Sequence, residues 1–346
     1  MMRAIPTVVL IAAGLLCGHS APAQPPAPAG PALWKSIKIQ KPAPIDRSSI
    51  EGQGKLPLII IADLGLNETA YADFAKRHAE RFTTHTLVLP GAVKESKGPS
   101  LDRGQVRDPE WLVNAVDAVR DYAKDHKLEK PLVLGQGVGG TVAYMLAIRE
   151  PELATGYVII NALPAPSIGA PGRIPAKDQR STEVDKLERS NIVGMSQSTW
   201  LKRIRSLVPL QTTDPKRAEA LIAMLATAPI GAVRRYTLEP LYLDLREDLD
   251  GATTPMLVYA TLPDWVGERD KAMLRASFQN VAFNRPAVRL EILDGARQWA
   301  ILDDPARFDP PLLTFLGIAP DAAPATPQAP ATDPIKPDSS SESEKK

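Results

Sequence analysis

The chain has 346 residues, with 41 Lys plus Arg against 40 Asp plus Glu. That balance gives no electrostatic reason to expect nucleic acid or an anionic membrane as partner, while an apolar content of 44% is enough for a full buried core. A single cysteine, Cys17, excludes a disulfide framework, a thiolate zinc site and an iron–sulfur cluster, and no cofactor is expected.

Residues 1–23 read as a secretory signal. Arg3 supplies the positive start, Thr7 to Cys17 a short apolar run, and Ala21-Pro22-Ala23 the small residues of a cleavage site. The run is shorter than the about 20 apolar residues a membrane span needs. Bulky Leu16 before Cys17 argues against a lipoprotein signal. The expectation is a secreted or periplasmic protein, cleaved after Ala23, with no transmembrane span and no thiol in the mature chain. Residues 24–45, opening on QPPAPAG, are expected to be an extended Pro/Ala-rich linker.

A folded body is expected over 46–318. Pro57 to Asp63 (PLIIIAD) and Thr86 to Leu89 are apolar runs without alternation, as in strands buried on both faces. Pro109 to Lys127 repeats Leu112, Val113, Val116, Val119 and Tyr122 at helical spacing. Pro131 to Gly135 is a strand, Val138 to Arg149 a helix that begins at once after it, and Tyr157 to Asn161 another strand. Residues 163–252 break the rhythm, with helical segments at Thr199–Leu207, Pro215–Ala226 and Gly231–Leu249 and no buried strand. Strands return at Pro255–Ala260 and Val288–Leu293, and a helix at Ala306–Leu316 closes the body. The tail, 319–346, is rich in Pro, Ala and Ser and lacks the apolar residues that offset ordering entropy, so disorder is expected. Strands alternating with helices imply a mostly parallel sheet covered on both faces, here split into 46–162 and 253–318 around a helical cap at 163–252.

Four segments, in order, carry a family resemblance. They are Leu89-Pro90-Gly91, LVLGQGVGGTVAYMLAIREPELATGYVIIN (132–161), DLREDLDGATTPMLVYATLPD (244–264) and ILDGARQWAILDDPARFDPPLLTFL (292–316). Together they resemble the alpha/beta-hydrolase superfamily, in which strand, nucleophile elbow (G-x-S-x-G) and helix follow one another. The resemblance implies an alpha/beta-hydrolase fold with the cap inserted after the sixth strand, and ester or amide hydrolysis in active members. It also places the three catalytic positions at Gly137, Asp264 and Gln298.

Those positions depart from the chemistry. The elbow reads Gly135-Gln136-Gly137-Val138-Gly139, so no side chain stands at the attacking position. Gln298, before Trp299, stands where the family has histidine, and an amide does not shuttle a proton near neutral pH. The four histidines, His19, His78, His85 and His126, all precede the elbow, so the order nucleophile, acid, histidine is not met anywhere. His78 and His126 are expected on solvated helix faces, and His85 before an edge strand. Trp111 and Trp200 are expected to pack. No histidine or carboxylate cluster has zinc-ligand spacing.

The backbone amides of Leu64 and Val138 are expected to form an oxyanion hole that outlives the lost nucleophile, because glycine accepts the strained elbow conformation readily. Asp63 is open to two readings: a pocket carboxylate beside Asp264, or a turn cap through its backbone. Gln136, Asn161, Arg297, Gln298 and Trp299 are candidate pocket contacts. The leading reading is a secreted pseudo-hydrolase that binds a small molecule or a protein. The alternatives are a hydrolase working with non-standard residues around Asp264, and a structural protein of the envelope.

Overall fold

Strands covered on both faces form the centre of one sheet in the computed structural model of the chain, which describes residues 34–93 and 108–319. The strands are β1 (Arg47–Glu51), β2 (Leu56–Ile61), β3 (Phe82–Val88), β4 (Leu132–Gln136), β5 (Gly156–Ile160), β6 (Met256–Pro263) and β7 (Val288–Gly295). Leu58 to Ile61, Val133, Leu134 and Val158 to Ile160 are wholly buried, which explains why these strands show no polar alternation. The spatial order is β1-β3-β2-β4-β5-β6-β7. β1 runs antiparallel to β3, and every other pairing is parallel.

From β2 the chain winds to β3 on one side, then returns to lay β4 on the other. The winding therefore reverses between β2 and β4, and the carboxyl ends of those strands flank the crevice where open sheets place ligands. Asp63 follows β2 and Gly137 follows β4, so the topology brings both to one point.

The helices are α1 (Ala72–Arg77), α2 (Glu110–Asp125), α3 (Val138–Arg149), α4 (Lys177–Val184), α5 (Ser190–Val193), α6 (Gln197–Gln211), α7 (Pro215–Ala226), α8 (Ile230–Tyr242), α9 (Glu268–Ala282), α10 (Ala300–Asp303) and α11 (Pro305–Phe315). α3 starts in close contact with β2: a Cβ on Gly139 would lie 2.2 Å from the Ile61 carbonyl oxygen. Helices α4 to α8 make up the expected insertion. With seven strands in the sheet, it follows the fifth strand in chain order and not the sixth. The expectation carried the strand count of the resembled fold, whereas one strand, β1, precedes β2 among the described residues. α8 is also shorter than expected: Leu243 turns extended (φ −79°, ψ 142°), and 243–249 leave the helix.

Three further expectations change. Residues 34–45, expected as linker, pack on the body. Trp34 is 3% exposed and its Nε1 donates to Asp248 Oδ2 at 3.1 Å, while the Ala43 amide donates to Asn114 Oδ1 at 2.7 Å. Residues 24–33, the leader and the tail from 320 lie outside the described residues. His78 is buried, not solvated. It packs on Phe74 with ring centroids 4.7 Å apart, and its Nε2 lies 3.2 Å from Asp309 Oδ1. His85 lies inside β3, level with Ile50 of β1 and Ile59 of β2, and its Nδ1 is 3.1 Å from the Tyr122 hydroxyl. His126 is exposed as expected, stacked on Tyr122. Trp111 and Trp200 are both buried. No helix among the described residues is long and apolar enough to cross a membrane.

Candidate active site

Gly137 has φ +54° and ψ −115°, a sharp bend between β4 and α3 that a residue with a Cβ adopts only under strain. The Val138 amide, first in α3, therefore points out of the helix N-terminus. It donates to Asp63 Oδ1 at 2.9 Å, and the Leu64 amide donates to the same oxygen at 2.8 Å. Two amides thus converge on one point, in the arrangement that stabilises an oxyanion. That point is already occupied by a carboxylate of the chain itself.

Gly137 is part of the same arrangement. A Cβ there would stand 2.3 Å from Asp63 Oδ1 and 2.4 Å from Oδ2. The Asp63 carboxylate thus fills the space where a serine at 137 would begin, and the two positions are sterically coupled. Asp63 is 5% exposed. Burial raises its pKa to about 6 against the lowering effect of the two amide bonds. Its backbone carbonyl also accepts from the Leu66 amide at 3.1 Å, so the turn-capping reading holds as well.

The neighbouring polar side chains are committed to one another. Gln136 Nε2 and Asn161 Nδ2 both donate to the Gln298 carbonyl, at 3.1 and 3.2 Å. Asn161 Oδ1 accepts from the Thr261 amide at 2.8 Å. The Tyr71 hydroxyl donates to Gln136 Oε1 at 3.2 Å. This chain of amides ties the ends of β4, β5 and β6 to the loop after β7. Burial and the Asp63 charge hold the Tyr71 hydroxyl well above the ordinary phenol range, so it stays a donor.

A model of the "Alpha/beta hydrolase family" matches residues 58–309. The chain belongs to the alpha/beta hydrolase family. Among curated relatives, a pimeloyl-[acyl-carrier protein] methyl ester esterase of Yersinia pseudotuberculosis serotype O:1b (strain IP 31758) is 25% identical over 279 residues, covering 76% of this chain and 94% of the relative. A protein of the same name from Proteus mirabilis (strain HI4320) is 26% identical over 236 residues, covering 66% and 82%. Among solved structures, a hydrolase from Oleispira antarctica aligns with a TM-score of 0.60 at 15% identity, covering 78% of this chain and 94% of that one. The enol-lactonase from Burkholderia xenovorans LB400 aligns at 0.59 and 15%, covering 79% and 98%. At these identities the structural likeness speaks for the fold alone.

Set in this family fold, the expected site residues separate. Gly137, Asp63, Leu64 and Val138 meet at the elbow, and beside them Gln136, Asn161 and the Gln298 carbonyl form a hydrogen-bonded cluster. Asp264, expected at the family's acid position, is not joined to it. Its side chain is 84% exposed, with Lys271 Nζ 3.6 Å from Oδ1. The reading of Asp63 and Asp264 as a carboxylate pair is therefore corrected. β6 runs on to Pro263, and Asp264 leaves the sheet towards α9. Arg297 is turned away from the elbow, donating to the carbonyls of Thr212 at 2.5 Å and Pro209 at 3.3 Å. Gln298 and Trp299 are buried. Tyr71 and Thr261 are members of the cluster that sequence reasoning missed. Tyr71 lies in an irregular turn with no periodicity to single it out, and Thr261 reads only as a strand residue.

Proposed function

We propose that the chain is a non-catalytic member of the alpha/beta hydrolase family, exported by its first 23 residues, that acts by binding a small molecule or a protein. One observation carries this reading: Asp63 Oδ1 accepts both amides that an oxyanion needs. Acyl transfer requires a nucleophile, a proton acceptor beside it and an empty anion site. Gly137 supplies no nucleophile, Gln298 no proton acceptor, and Asp63 leaves no empty anion site. A substrate carbonyl entering the elbow would displace a carboxylate already held by two hydrogen bonds at a helix N-terminus. An anionic intermediate would then form beside the displaced charge.

The names of the curated relatives favour the second reading, a hydrolase with non-standard residues. Its expected base, Asp264, stands in solvent on Lys271. Asp63, ionised above about pH 6, has its Oδ1 committed to two amides.

The deciding experiment exposes the purified chain to a fluorophosphonate probe and to short-chain 4-nitrophenyl esters. No serine labelling and no turnover above buffer are expected; labelling of any serine in the native protein overturns the reading. Cell fractionation with N-terminal sequencing tests export. The expected mature start is Gln24, and a cytoplasmic chain retaining Met1 contradicts it.

A further inference from the structure

Among the described residues the sheet has two edges, β1 and β7, each paired on one side only. β7 is the longer. Its open stretch runs from Val288 to Leu293, because the Asp294 carbonyl beyond it accepts from Arg307 Nη2 at 2.7 Å. The two faces of that stretch differ. Glu291 is level with Tyr259 of β6, whose hydroxyl donates to the Phe308 carbonyl, so Arg289 and Glu291 lie on the α11 face. Ile292 packs with Leu262, Val266 and Leu274, so Val288, Leu290 and Ile292 lie on the α9 face. Leu290 and Ile292 are only half-buried there, and Phe283, between α9 and β7, is 69% exposed.

An open strand edge presents a row of unmet N–H and C=O groups, and proteins commonly guard it with charge. Here the two charges are opposite in sign and two residues apart. Within the chain Arg289 Nη2 lies 2.6 Å from Glu291 Oε1. Such a pair does not repel a copy of the same strand running the other way; it matches it. With a two-fold axis at Leu290, Arg289 stands opposite Glu291 of the second copy, and by symmetry Glu291 opposite Arg289. On the other face Val288 meets Ile292 and Leu290 meets its own copy. We propose that β7 pairs antiparallel with the β7 of a second copy of this chain about that axis, so that two sheets join into one. The pattern is self-complementary, as a two-fold interface requires, whereas a parallel copy would set arginine against arginine. The opposite edge fits less well. About Ser49, β1 sets Arg47 against Glu51, but its one apolar side chain, Ile50, against Ser48.

The test examines the full chain by analytical ultracentrifugation and light scattering across the micromolar range, where a reversible dimer is expected. Glu291→Arg and Arg289→Glu each set like charges opposite one another, and each is expected to raise the dimer Kd at least about tenfold. Mixed in equal amounts, the two variants are expected to form a heterodimer, because every arginine then meets a glutamate. The double swap, Arg289→Glu with Glu291→Arg, is expected to dimerise as the native chain does. Both rescues require that the variants remain folded. Ile50→Lys, at the other edge, is expected to leave the dimer unchanged. A native chain that stays monomeric overturns the proposal. So does a dimer indifferent to both single variants, a failure of the mixture and the swap to associate, or loss of the dimer in Ile50→Lys. None of these outcomes depends on whether the elbow is catalytic.

Discussion

Gly137 and Asp63 share one small volume: the bare Gly137 leaves room for the Asp63 carboxylate, and that carboxylate excludes a side chain at 137. Gly137→Ser alone brings a Cβ within 2.4 Å of both Asp63 oxygens at a positive φ, so a loss of about 2 kcal/mol or more is expected in urea unfolding. Restoring the nucleophile with Gly137→Ser and Gln298→His is expected to leave the protein unreactive, because Asp63 still holds both amides. Adding Asp63→Gly is expected to yield the first variant labelled by a fluorophosphonate. Labelling of the double variant with Asp63 intact contradicts the coupling. Asp63 also predicts a pH dependence. Its folded pKa, about 6, stands above the ordinary aspartate value of 3.8, so its contribution to stability is complete below about pH 4 and is lost as the pH rises through 6. By pH 8 the ionised group costs the fold about 3 kcal/mol. Asp63→Asn keeps an acceptor for the amides and removes this titration. The stability of native chain relative to variant should therefore fall between about pH 4 and 7 in a pH series of urea melts; a flat difference contradicts the assignment.

Between elements, two polar joints hold the cap to the core. Glu239 of α8 is wholly buried; its Oε2 accepts from the Leu112 amide in the first turn of α2 at 3.0 Å, with Arg235 Nη1 3.5 Å from Oε1. Burial pushes its pKa up to about 8 despite that arginine, so it is largely protonated at pH 7 and an amide is a close substitute. Glu239→Gln is expected to cost under about 1 kcal/mol and Glu239→Ala about 3 kcal/mol, measured by urea unfolding at pH 7. The second joint is Asp303 of α10. It accepts from Thr212 Oγ1 at 2.9 Å and the Thr213 amide at 3.0 Å, and pairs with Arg217. Asp303→Ala is expected to raise hydrogen exchange across α6 and α7 while β2, β4 and β5 keep their protection. Uniform loss across the sheet would show a global effect and refute a local joint. Neither joint was visible in the sequence. A single Glu in a helix and a single Asp in a loop carry no pattern, and their partners lie 127 and 90 residues away along the chain.

At the scale of the whole molecule, the N-terminal segment counts as structure. Trp34 lies under the turn at Asp248, more than two hundred residues along the chain, and Trp34→Ala is expected to cost about 3 kcal/mol in thermal unfolding. Its proline-rich setting hid this, since composition reports the average of a segment and not the one aromatic that docks. The central strands were legible because burial on both faces leaves an uninterrupted apolar run. β1 was not, since Arg47–Glu51 is an exposed edge of short, mostly polar residues. α9 was missed for a related reason, its charged exposed face diluting a narrow apolar stripe. The amino-acid sequence by itself determined the central buried strands, the bare elbow at Gly137 and the absence of any histidine after it, because these are local or are plain matters of which residues occur. Tertiary structure alone decided that Asp63 closes the amide site, that Asp264 stands apart in solvent, and that Trp34 docks beside Asp248. Each depends on where side chains from distant segments come to rest, and that is fixed by the packing of the whole fold.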